Sequence, residues 1–106
     1  MNPSKKSDKE LFSLIEQKIL ENKYIFLPHA RQRMLERNIA AIDVLYLLQG
    51  YSKRIRNKKK DNYEHDREDW KYCIEGKLRD VKIRVVVTFT LDRMPIITAI
   101  NLEDIL

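Results

Sequence analysis

The sequence predicts an α+β fold, with two or three helices packed on one face of a mainly antiparallel sheet. Two observations carry this. Apolar residues recur at helical spacing up to about Gly50, and from Trp70 onward they alternate with polar ones. Helices first and a meander afterwards argue against a doubly wound parallel sheet. The length, 106 residues, suits a single domain over 1–106.

The first helix is expected over residues 8–22. Ser7-Asp8-Lys9-Glu10 has the form of a capping box, and Leu11, Ile15 and Ile19 follow on one stripe. Asn22-Lys23 ends this N-terminal helical segment, 1–23. Tyr24-Ile25-Phe26-Leu27 reads as a short strand stopped by Pro28. Residues 29–37 form a second helix, with Pro28 suited to its first turn and Asn38 able to end it in a left-handed conformation. A third helix is expected over 40–49, with Ile42, Leu45 and Tyr46 sharing a face and Gly50 as the residue after its end.

Tyr51 to Arg56 reads as a strand or extended edge, and Asn57 to Asp69 as a polar loop. Trp70, Tyr72 and Ile74 alternate as a half-buried strand should, and Glu75-Gly76-Lys77 is expected to turn a hairpin. Val81, Ile83, Val85 and Val87 mark the next strand, Leu91-Asp92-Arg93 a turn, and Met94 to Asn101 the last strand.

Composition narrows the function. The net charge is +5, which favours an anionic partner such as nucleic acid or an acidic protein. Two glycines exclude a Gly-rich phosphate loop. One cysteine, Cys73, excludes an intrachain disulfide and multi-thiolate zinc sites, and fits a reducing, cytoplasmic setting. No apolar run reaches membrane-spanning length, so no membrane role is expected.

Three constellations could carry chemistry. His29, Arg33 and Arg37 lie four residues apart, so successive members are rotated by only about 40° on a helix. Arginine offers a planar fork to phosphate oxygens, and histidine can exchange a proton near neutrality. The same spacing also fits arginines paired to Glu36 or Asp43 with His29 capping its helix. The second feature is the run Lys53, Arg54, Arg56, Lys58, Lys59 and Lys60, flanked by Tyr51 and Tyr63. It reads as a phosphate-tracking patch with aromatic stacking, or as a solvated loop partly neutralised by acids from Asp61 onward. The third is Arg84, on the strand face opposite Ile83 and Val85, which reads as a phosphate ligand or as a surface arginine with a neighbouring carboxylate. His65, between Glu64 and Asp66, has no second histidine at metal-ligand spacing, so no metal or other cofactor is expected.

His29-Ala30-Arg31-Gln32-Arg33-Met34-Leu35-Glu36-Arg37, followed by Ile39 and Val44, resembles the opening of domain-of-unknown-function family 4258. Arg84-Val85-Val86-Val87 and Ile96-Ile97-Thr98 are similar to its later strands, and the family-like core covers about 24–101. The family is grouped with the RelE/ParE-like small toxins, which implies a curved sheet and a metal-independent endoribonuclease of a toxin–antitoxin pair. Its partners would be free or ribosome-bound mRNA and a cognate antitoxin. The resemblance implies His29 as proton acceptor, Arg33 and Arg84 stabilising charge on one shared phosphate, Arg37 as a positional contact, and Thr98 as a hydroxyl donor. The alternative is a non-catalytic nucleic-acid- or protein-binding module on the same scaffold.

Overall fold

A computed structural model describes residues 5–64 and 69–103. It contains α1 (Asp8–Leu20), β1 (Tyr24–Phe26), α2 (Pro28–Glu36), α3 (Ala41–Leu48), β2 (Arg54–Arg56), β3 (Asn62–Glu64), β4 (Asp69–Leu78), β5 (Val81–Val87) and β6 (Met94–Asn101). The fold is α+β, as expected. The strands form an open, mixed sheet in the order β1-β6-β5-β4-β2, with β3 paired to the outer part of β4. All pairings are antiparallel except β1 with β6, where Tyr24 lies beside Met94.

Local chemistry sets most of the helix ends. The Ser7 hydroxyl accepts from the Glu10 amide at 3.2 Å, and the Glu10 carboxylate accepts from the Ser7 amide at 3.3 Å, completing the capping box. Pro28 occupies the first turn of α2. Asn22 and Asn38 adopt φ of 58° and 56° just past their helices, and Gly50 follows α3 at φ 83°.

The core lies between the helices and one sheet face. Leu11 and Ile15 of α1, Ala30 and Met34 of α2, and Val44, Leu47 and Leu48 of α3 meet Ile74, Ile83, Val85, Val87, Met94 and Ile96. Alternation therefore turns Arg84 to the sheet face away from the helices.

Three expectations need correction. Glu75-Gly76-Lys77 is not a turn, because β4 runs on to Leu78 and the hairpin closes at Arg79-Asp80. Both turn residues are left-handed, at φ 50° and 67°, as a two-residue hairpin turn of this hand requires. Gly76 serves a close approach instead. A Cβ there would meet the Leu47 side chain at 2.3 Å and the Lys53 carbonyl oxygen at 2.7 Å. The segment read as a loop from Asn57 holds a 3₁₀ turn at Lys58–Lys60 and strand β3, fixed by pairing Tyr63 with Trp70. On α3 the buried stripe is Val44, Leu47 and Leu48, while Ile42 and Tyr46 face outward.

Candidate anion-binding surface

The α2 stripe is positioned by its apolar neighbours. Ala30 and Met34 are buried, which leaves His29 exposed and Arg33 and Arg37 half-buried on the flank of the helix. No side chain caps the N-terminus of α2 and no acid occupies its first turn, so its amides leave a positive end beside His29. The acids expected to pair with Arg33 have partners other than it. Glu36 accepts from Gln32 at 3.3 Å. Asp43 pairs with Arg79 at 2.5 Å and accepts from the Ala40 amide at 3.3 Å. Among the described residues, the side chains of His29 and Arg33 have no hydrogen-bond or ion-pair partner.

The basic run divides into an internal and an external part. Arg54 pairs with Glu16 of α1 at 2.5 Å, donates to the Leu48 carbonyl, and lies 4.2 Å above the Phe12 ring. It joins α1, the end of α3 and β2. The Arg56 side chain is 1% exposed and pairs with Asp61 at 3.1 Å and Asp8 at 3.0 Å, while donating to the Lys6 carbonyl. Asp61 also accepts from the Cys73 amide at 2.8 Å and pairs with Lys5 at 3.4 Å. A phosphate could reach Arg54 or Arg56 only by displacing these partners. Lys53, Lys58, Lys59 and Lys60 are exposed, with Lys58 3.5 Å from Asp8. The flanking tyrosines have ring partners inside the protein. Tyr51 lies against Tyr46 with centroids 5.1 Å apart, and Tyr63 stands edge-on to Trp70 at 5.4 Å.

Arg84 belongs to a third cluster. Its Nε donates to Glu75 at 2.8 Å, and the same carboxylate accepts from the Asn57 amide at 2.9 Å and lies 3.8 Å from Lys82. Burial pushes the Glu75 carboxyl up, but the hydrogen bonds from Asn57 and Arg84 and the nearby cations outweigh it. The net pKa is lowered. Cys73, one register along, is buried, and that burial pushes its thiol up to about 11. Thr98 is half-buried opposite Val86 in the β5–β6 ladder and so joins Arg84 on this face.

The structure thus keeps His29, Arg33 and Arg37 together and separates them from Arg84 and Thr98. Arg33 stands on a helix covering one sheet face, and Arg84 projects from the other. The expectation that they share one phosphate is corrected on that ground. Sequence reasoning missed Glu75, the acid that organises the Arg84 cluster, whereas Asp61, which pairs with Arg56, is among the acids read there as partly neutralising the basic run. The alternation Trp70, Tyr72, Ile74 does continue through Gly76 to Leu78, and following it would have placed Glu75 beside Arg84. His65 lies outside the described residues. Among the described residues no group of acids, histidines and cysteines could hold a metal ion, and no helix is long and apolar enough to cross a membrane.

The surface can bind an anion at the stripe on α2. Comparison with known proteins adds one match, to the family model described as a domain of unknown function (DUF4258), over residues 26–101. No curated protein and no solved structure matches the chain.

Proposed function

Because the chain belongs to the DUF4258 family, whose description assigns no activity, we propose from its own geometry that it is an RNA-binding domain contacting phosphates through α2. One observation carries the reading. His29 and Arg33 lack internal partners among the described residues, whereas Arg54, Arg56, Arg79 and Arg84 are each ion-paired within the protein. An outside phosphate meets Arg33 without breaking a bond the fold has made. The adjacent uncapped helix start adds amide donors of the same sign. The exposed Lys59 and Lys60, in the 3₁₀ turn packed on β4, contribute sequence-independent attraction. Fluorescence anisotropy with labelled single-stranded RNA tests this. Arg33→Ala reduces the slope of log affinity against log salt by about 0.7, the value for one phosphate on a single strand. An unchanged slope refutes the contact.

The second reading is a metal-independent endoribonuclease of a toxin–antitoxin pair on a RelE-like fold. What favours it is the Glu75–Arg84 pair on the sheet face away from the helices. There a ribose 2′-oxygen would attack the adjacent phosphorus as Glu75 takes its proton, forming a 2′,3′-cyclic phosphate and breaking the bond to the 5′-oxygen, which leaves with a proton from water, while Arg84 holds the phosphate oxygens. The hydrogen bonds from Asn57 and Arg84 and the nearby Lys82 weigh against this reading, since they hold Glu75 as a weakly basic anion. Incubating purified protein with free and ribosome-bound mRNA separates the readings. Cleavage abolished by Glu75→Gln but kept by His29→Ala establishes the second; absence of cleavage with salt-dependent binding retained supports the first.

A further inference from the structure

Helix α3 has the sequence Ala41-Ile42-Asp43-Val44-Leu45-Tyr46-Leu47-Leu48, apolar on nearly every side. Such a helix is normally covered all round. Here the face carrying Val44, Leu47 and Leu48 is fully buried, while Ile42 is 73% and Tyr46 47% exposed. Ile42 and Tyr46 are one turn apart on the outer face, and the Tyr51 ring lies against Tyr46. Leu35, 85% exposed on α2, lies across from Ile42, and the two border an open groove of about 300 Å³ with Met34 and Ile39 at its base. Among the described residues eight large apolar side chains are exposed, and four of them, Leu35, Ile42, Tyr46 and Tyr51, fall on this strip, which marks an interaction surface.

We propose that the strip Leu35–Ile42–Tyr46–Tyr51 is the docking surface for an acidic amphipathic helix of a partner protein. The apolar stripe of that helix would cover Ile42 and Tyr46, and its carboxylates would meet Arg79 at the groove. Charge selects this occupant. Arg79 lines the groove with 76% of its side chain exposed, and only one of its terminal nitrogens is given to Asp43. The remaining donors of its fork point to no acid among the described residues and suit a carboxylate. A second copy of the chain would bring the same arginine and the same net charge of +5 into the contact. The proposal is independent of the RNA contact on α2, since the strip excludes His29 and Arg33.

The test uses the full chain and a fluorescein-labelled synthetic helix of about 16 residues, with leucines at i, i+3, i+4 and i+7 and glutamates elsewhere. A control peptide carries lysine at every glutamate. The glutamate peptide is expected to bind saturably and to shift the amide resonances of Ile42 and Tyr46. Ile42→Asp, an exposed change that leaves the melting temperature unaltered, weakens binding about tenfold or more. Arg79→Asn, chosen because asparagine tolerates the left-handed backbone at φ 50°, weakens the glutamate peptide and not the lysine one. Three results overturn the proposal: equal or tighter binding of the lysine peptide, no effect of Ile42→Asp, or self-association of the free chain that Ile42→Asp abolishes. The last assigns the strip to a second copy.

Discussion

Arg56→Met distinguishes a structural from a nucleic-acid role for the basic run most sharply. The wild-type guanidinium is 1% exposed and the Asp61 carboxylate beside it is fully buried. Removing the cation leaves Asp61 with Lys5 at 3.4 Å and the Cys73 amide at 2.8 Å, leaves Asp8 with Lys58 at 3.5 Å, and leaves the Lys6 carbonyl without this donor. Breaking a buried pair by deleting one partner costs about 3–5 kcal/mol. Because Asp61 keeps two partners and methionine restores apolar packing over Tyr72, the loss falls near the lower end, about 3 kcal/mol. For a domain of this size that lowers the melting temperature by roughly 10–20 °C. Circular dichroism melts measure it, with Lys59→Ala and Lys60→Ala as exposed controls expected within about 0.5 kcal/mol of wild type. Asp61→Asn keeps an acceptor for Cys73 while removing the charge, so Arg56→Met with Asp61→Asn should lose less than the sum of the single changes. A normal melt for Arg56→Met together with weakened RNA binding would contradict the internal assignment.

Other perturbations follow from the same geometry. Gly76→Ala forces a methyl against Leu47 and the Lys53 carbonyl, so a loss of about 1–3 kcal/mol is expected in urea unfolding, and a neutral result would mean α3 and β2 can move apart. Asp80→Gly relieves a side chain held at φ 67° and should stabilise by roughly 0.5–1 kcal/mol; a loss of stability would show that Asp80 makes a compensating interaction. Glu75 has its folded pKa lowered below the ordinary 4.5, so its stabilisation is complete above that value and is lost as pH falls through the folded pKa. Glu75→Gln should therefore shrink the difference in melting temperature between neutral and strongly acidic solution, and an undiminished difference would place the acid sensitivity elsewhere.

Much of the fold was legible because its signals are local. Ser7 and Glu10 cap one helix, Pro28 opens another, and Asn38 and Gly50 close two, all through contacts within a few residues. Tertiary causes were not legible. Gly76 resembles a turn residue in sequence, yet it is required by Leu47 and Lys53, far away in the chain. The true turn, Arg79-Asp80, lacks the usual Asn-Gly chemistry. The α2 stripe could be read from spacing alone. The pairing of Arg54 with Glu16, and of Arg56 with Asp8 in addition to nearby Asp61, could not, because those two acids come from α1 and meet the arginines only on folding. Alternation correctly turned Arg84 away from Ile83 and Val85, and that fact divides it from Arg33.

The central claim is that RNA meets the protein on α2. It is tested most directly by following backbone amide resonances as a single-stranded RNA of about 12 nucleotides is titrated in at low salt. The predicted result is a contiguous set of shifts over residues 29–37, lost in His29→Ala with Arg33→Ala, while residues 82–86 are unmoved. Shifts confined to residues 82–86 and 98–100, persisting in the double variant, would contradict the account and place the nucleic acid on the opposite face of the sheet.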